Sequence, residues 1–154
     1  MELNKSKYQI LAVDDSKETL EVIRRNLKVN GYNITTVSNV IDARNILESI
    51  DIDLVITDLN MPEINGIELI KHLKENYQNT GILVITAYPS IKNAVETVKL
   101  GANDYLIKSF TKEELINAVE KSLEIVENRK SKPSEQQGQI YLQGIIGESK
   151  PMQA

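Results

Sequence analysis

Residues 54–66, LVITDLNMPEING, decide the fold. The apolar run Leu54, Val55 and Ile56 leads through Thr57 to a carboxylate at Asp58. Asn60, Met61 and Pro62 interrupt any strand, and Asn65-Gly66 then opens a helical pattern. This is the pattern of a buried strand that presents Asp58 at its carboxyl end before a loop. In an open α/β sheet ligands bind along that edge. The function therefore depends on which other residues reach it.

Upstream, YQILAV at residues 8–13 is a short apolar run ending in Asp14 and Asp15. Ser16 suits a helix N-cap, with Glu18 in the first turn. Leu20, Ile23 and Leu27 share one helical face, and Asn30-Gly31 supplies the stop. NITTV at residues 33–37 is rich in β-branched residues and predicts a second strand. Asn39 caps a second helix carrying Ala43, Ile46, Leu47 and Ile50. Downstream, a third helix runs from about Gly66 to Asn76 with Ile70 and Leu73 inward. ILVI at residues 82–85 is a fourth strand ending at Thr86. Ser90 to Leu100 is a fourth helix, with Val95 and Val98 expected inward and Gly101 closing it. Asp104 to Ile107 is a fifth strand followed by Lys108, and Thr111-x-x-Glu114 is a capping box opening the last helix. Five strands alternating with five helices predict an α/β, flavodoxin-like, doubly wound fold. Its five-stranded parallel sheet has order 2-1-3-4-5, with helices on both faces.

Composition bounds the rest. The chain has 154 residues, which suit one domain with an appendage. Its formal net charge of −4 argues against direct nucleic-acid binding. There is no cysteine, hence no disulfide framework and no thiolate metal site. The start, MELNKSKYQI, has no apolar leader core, and no run approaches membrane-spanning length. A cytoplasmic protein without a membrane partner is expected.

Four of the five strands end in a polar residue, and in a parallel sheet these ends share one edge. Strand one delivers Asp14 and Asp15, strand three Asp58, strand four Thr86 and strand five Lys108. Three carboxylates brought together repel unless a cation sits among them. Oxygen ligands with coordination left for water and substrate suit Mg2+. Asp58 is then a carboxylate nucleophile for a phosphoryl group, whose oxygens Lys108 and the Thr86 hydroxyl can hold. Taken singly, these residues read as a helix cap, a turn aspartate, a strand-end threonine and a solvated lysine; their agreement at one edge favours phosphotransfer. His72, the single histidine, lies mid-helix and is given no role.

Two other Asp- or phosphate-based chemistries fit poorly. A phosphatase of the haloacid-dehalogenase type needs a second carboxylate two residues after its nucleophile, where Asn60 follows Asp58 and Ser16 follows Asp14. A flavin carrier needs a hydroxyl- and glycine-rich phosphate loop after strand one, where Asp14-Asp15 stands.

The set AVDDS, ITDLNMPEINGIEL, ITAYPS and GANDYLIKSF resembles the receiver domain of bacterial two-component response regulators, from about Lys7 to Asn128. The resemblance implies a CheY-like fold and Asp58 as phosphoacceptor. It also implies Mg2+ on Asp15, Asp58 and the main-chain carbonyl of Asn60, with Asp14 assisting through water. Thr86 and Lys108 would contact the phosphoryl group, and Tyr105 would swing inward as Thr86 moves. The donor would be a sensor histidine kinase, and the output face would be helix four, strand five and helix five. The intact set speaks against a phosphorylation-independent pseudo-receiver. One departure stands out. The family usually has Lys-Pro-Phe with a cis bond, whereas this chain has Lys108-Ser109-Phe110. Without proline a cis bond costs about 2.5–4 kcal/mol, so the loop is either trans or strained.

Residues 1–129 are thus read as a receiver with an extended last helix and 130–139 as a polar linker. Residues 140–154 are the start of an AAA+ domain or a flexible tail. GIIGESKPMQ resembles the opening of the AAA+ domain in sigma-54-dependent activators of the nitrogen-regulatory class. The chain would then belong to a longer transcriptional activator with AAA+ and DNA-binding output domains; a stand-alone receiver is the alternative. No GxxxxGK[ST] loop occurs. In the last helix, Ile116, Val119, Leu123 and Val126 recur at coiled-coil spacing, with Leu115 and Ala118 left to face the sheet. That pattern predicts a homodimer seam along helix five. A short amphipathic helix packing its whole stripe on its own domain is the competing reading.

Overall fold

The computed structural model describes residues 5–61, 66–87 and 89–131. Residues 1–4, 62–65, 88 and 132–154, the last with the expected linker and AAA+ start, lie outside the described residues. A single 3₁₀ turn at Lys5–Lys7 precedes β1 (Gln9–Val13), α1 (Lys17–Val29), β2 (Asn33–Val37), α2 (Val40–Ser49) and β3 (Leu54–Thr57). Then come α3 (Gly66–Asn76), β4 (Gly81–Thr86), α4 (Ile91–Lys99), β5 (Asp104–Ile107) and α5 (Lys112–Ser131). The strands form one parallel sheet in the order β2-β1-β3-β4-β5. This is the predicted doubly wound topology, with α5 reaching two residues into the expected linker.

The element ends follow from local chemistry. The Ser16 hydroxyl accepts from Thr19 N, and the Asn39 side chain from Asp42 N. Thr111 and Glu114 exchange the two hydrogen bonds of a capping box at 2.8 and 3.1 Å. Gly31 and Gly101 take φ of +93° and +107° just past α1 and α4, where a side chain would be strained. Ile50 ends α2 rather than extending its buried face.

Two apolar layers flank the sheet. Leu20, Ile23 and Leu27 of α1 pack with Leu115, Ala118, Val119 and Leu123 of α5 on one side. Ala43 and Leu47 of α2 pack with Leu69, Ile70 and Leu73 of α3 on the other. β1, β3 and β4 are buried on both faces, which is why they read as continuous apolar runs.

Two expectations are corrected. Val119, Leu123 and Val126 are fully buried in the domain itself, so they are not free to form a seam with a second copy. Val126 lies over Gly81, where an added Cβ would come within 2.8 Å of its Cγ2. Ile116, the fourth seam residue, also packs against that core. Repeats of three and four serve a helix on a sheet as well as a coiled coil, and here the sheet takes them. On α4, Val95 and Val98 are 47% and 61% exposed, whereas Thr97 is buried and Leu100 packs on the core. The smaller face of Ala94 and Thr97 sits toward the sheet, and the more apolar face of Ile91, Val95 and Val98 points to solvent. Of the two alternatives for the loop after β5, trans or a strained cis bond, the first holds: no cis peptide bond occurs among the described residues. The Lys108-Ser109 bond is trans, and Phe110 N closes a turn onto Ile107 O at 2.9 Å.

Candidate functional site

The sheet ladder carries on past the strands and fixes the site residues. Asp14 N donates to Val37 O, Asp58 N to Val13 O, and Lys108 N to Thr86 O, at 3.2, 3.1 and 2.8 Å. Neighbouring strands therefore deliver Asp14 and Asp58 side by side, and Lys108 beside Thr86. Asp14, Asp58 and Thr86 are buried, while Asp15 is exposed.

Lys108 ties these ends together. Its ammonium lies 2.9 Å from Asp58 Oδ2 and 3.0 Å from Asp14 Oδ2. Asp14 Oδ1 also accepts from Ser16 N at 2.8 Å, and Asp58 Oδ1 from Asn60 N at 3.1 Å. Lys108 thus reaches the site although its peptide is trans. Asp14, Asp15 and Asp58 each offer an oxygen, all within 4.8 Å of one another. Three carboxylates face one ammonium, so full ionisation leaves a formal charge of −2. All the donors are hard oxygens. A divalent cation such as Mg2+ fits that deficit and that donor set.

Burial pushes the Asp14 carboxyl above its usual range, against the Ser16 N–H and Lys108, with Asp58 adding to the rise. Burial works against the Lys108 ammonium, but its hydrogen bonds to Asp58 and Asp14 outweigh this and raise its pKa. A carboxyl raised in the folded state contributes stability below its unfolded pKa, and loses it as pH rises through the folded value. At neutral pH an ionised Asp14 is therefore a cost. Asp14→Asn is expected to stabilise the metal-free domain at pH 7 by on the order of 1 kcal/mol, with the gain lost at acid pH as Asp14 protonates through its raised pKa. Thermal unfolding at the two pH values checks this.

Two details go beyond the sequence reading, in which Asn60 serves through its main-chain carbonyl and Gly66 as a helix opener. The Asn60 side-chain amide donates to Thr86 Oγ1 at 3.3 Å, linking the loop after β3 to the end of β4. Gly66 opens α3 against the Asp58 carbonyl: a Cβ there would overlap Asp58 O. Its signal was a glycine directly after Asn65 at the first position of a predicted helix. Tyr105 has its ring against the α2–α3 layer and its hydroxyl buried with no hydrogen-bond partner among the described residues.

A family model for the response regulator receiver domain matches residues 10–120. The chain belongs to this family. Residues 10–120 form a receiver, a regulatory module of phosphorylation-based signalling. Response regulator MprA of Mycobacterium sp. (strain KMS) is 35% identical over 108 residues, 70% of this chain and 47% of MprA. MprA of Mycobacterium leprae (strain TN) is 33% identical over 127 residues, 82% of this chain and 54% of that protein. The chain spans about half the length of the curated relatives it matches. The beryllofluoride-activated NtrC4 receiver domain dimer is 26% identical with a TM-score of 0.74, covering 77% of this receiver and 98% of that chain. Among the described residues, no helix is long and apolar enough to cross a membrane.

Proposed function

We propose that this receiver accepts a phosphoryl group on Asp58 from a sensor histidine kinase and thereby resets the face made by α4, β5 and α5. The observation that supports this most is the Lys108 ammonium held between Asp58 and Asp14, at the edge where Thr86 also ends a strand. An Asp58 carboxylate oxygen forms the new bond to phosphorus as the bond from phosphorus to the donor's imidazole nitrogen breaks. The imidazole keeps the electron pair and takes a proton from solvent. Lys108 turns from the carboxylates to the phosphoryl oxygens, and the Thr86 hydroxyl donates to one of them. Asp15, Asp58 and the Asn60 carbonyl would hold Mg2+, with Asp14 behind them through water. When bound, the ion neutralises the charge that otherwise accumulates on the phosphoryl oxygens.

Two arrangements support the switch. Thr86 is buried and accepts from Asn60, so drawing it to a phosphoryl oxygen alters that bond. Tyr105 keeps a buried hydroxyl without a partner, which costs about 1–3 kcal/mol, so its ring responds readily when Thr86 moves. Next to them Ile91, Val95, Val98 and Ile107 form exposed apolar surface. This surface, rather than an α5 seam, is the proposed contact with a second copy of the chain, in keeping with the likeness to a receiver dimer.

The proposed output is transcription, in the cytoplasm, through domains beyond this receiver. The GIIGESKPMQ segment at residues 144–153 supports the sigma-54-dependent class, as does the likeness to NtrC4. The MprA relatives carry a different name, so the class rests on those two observations. A GxxxxGK[ST] loop encoded beyond Ala154 is the expected finding, and its absence would leave a stand-alone receiver.

Incubation with a small acyl phosphate should add one phosphoryl group by intact mass with Mg2+ and none with a chelator. On labelling, amide NMR shifts should cluster between Thr86 and Phe110. Shifts confined to the loop after Asp58 would sink the proposed switch.

A further inference from the structure

The amino edge of the sheet, opposite the Asp58 site, carries a cluster that phosphotransfer does not use. The five-residue strand β1 separates the two edges by about 16 Å. There the turn Lys5–Lys7 and the following Tyr8 lie across α5 from its middle to its distal part. Lys5 Nζ is 3.7 Å from Glu120 Oε2, and Lys7 Nζ is 3.1 Å from Glu127 Oε2. The Tyr8 hydroxyl donates to the other Glu127 oxygen at 3.2 Å while its ring is buried in the core. Lys5 also sits over the Tyr32 ring and Lys7 over the Tyr8 ring, at 5.5 and 5.2 Å. Asn33 Nδ2 pins the backbone of the turn at Ser6 O.

We propose that Lys5–Tyr8 is an ionic strap that holds the outer flank of α5, and that its release loosens residues 120–131 without disturbing the Asp58 site. Glu120 and Glu127 are seven residues apart, two helical turns, so they lie on one stripe. The strap grips that stripe at both points. The inner stripe of Leu123 and Val126 is held by the core, and the outer stripe by the Lys5 and Lys7 ion pairs together with the Tyr8 hydroxyl. Since α5 leads directly into the C-terminal segment, the strap sets the pose from which that segment starts. Its grip weakens with salt, as partly exposed ion pairs do. This inference stands whether or not Asp58 is the phosphoacceptor.

Peptide-resolved hydrogen exchange on the full 154-residue chain tests it. In Lys5→Gln/Lys7→Gln, residues 120–131 should exchange about three- to tenfold faster, with α1 and the central strands unchanged. About 0.5 M salt should produce the same change in the wild type and little further change in the variant. The swap Lys5→Glu/Lys7→Glu/Glu120→Lys/Glu127→Lys should restore slow exchange. Unchanged exchange in residues 120–131 of the glutamine variant overturns the strap. So does an equal acceleration in every segment, which would mean a contribution to global stability alone.

Discussion

Leu123→Glu is expected to unfold the domain rather than separate two copies of it. Leu123 is fully buried on the α1–α5 side of the sheet, with Ile23, Leu27 and Val119 in the same layer. A glutamate there either ionises in an apolar layer or buries a protonated carboxyl with no partner. Either outcome costs about 4 kcal/mol or more once the lost leucine packing is included, a large share of a typical domain's 5–15 kcal/mol. Circular dichroism melts should show the loss at every protein concentration. If the variant is instead fully folded and merely shifts a monomer–dimer equilibrium in sedimentation, the burial of α5 described above is wrong.

Gly66→Ala is expected to be the second most damaging single change. The chain must turn from β3 into α3 so closely that Gly66 N donates to Leu59 O at 3.0 Å. A Cβ at residue 66 would overlap the Asp58 carbonyl oxygen and press on the Leu59 Cα, which are backbone atoms and cannot rotate away. Relief requires moving the start of α3 or the peptide that follows Asp58. Overpacking of this kind costs about 3 kcal/mol. It also displaces the carboxylate, so phosphoryl incorporation should fall along with stability. A variant with wild-type melting and wild-type labelling would show that the close approach is unimportant.

These two residues mark where the sequence was legible and where it was not. The sheet order and the edge residues could be read because each buried strand is an apolar run with a polar end. The parallel arrangement that follows from βαβ alternation gathers Asp14, Asp58, Thr86 and Lys108 at one edge. The role of α5 could not be read so far, because its stripe satisfies a sheet and a coiled coil equally. The deciding partner, Gly81, lies 45 positions away from Val126 in sequence, and only the tertiary structure brings them together. The facing of α4 failed for a related reason. Ile91, Val95 and Val98 form one regular face and Ala94, Thr97 and Leu100 another, and hydrophobicity favoured the wrong one. Close approach to the sheet favoured the smaller residues. Gly66 was noticed as a helix opener, but its crowding against Asp58 O depends on chain crossing that spacing does not encode.

The proposed site explains why this edge carries so much uncompensated charge. Asp14, Asp15 and Asp58 against Lys108 make a poor structural cluster, since burial already raises the Asp14 carboxyl. An arrangement that costs stability at rest is expected where a cation and an incoming phosphoryl group are to be received. The strap at the other edge differs in kind: its ion pairs are partly exposed and complementary, and they secure α5 without entering the chemistry.

The most direct measurement is the location of the phosphoryl group. Wild type and Asp58→Asn are each incubated with an acyl phosphate and Mg2+, and the labelled protein is digested and sequenced by tandem mass spectrometry. The wild type should carry one group, on the peptide containing Asp58, and Asp58→Asn should carry none, because an amide is a poor nucleophile and a weaker metal ligand. Full labelling of Asp58→Asn, or a wild-type group found on another residue, would contradict the assignment of Asp58 as the phosphoacceptor.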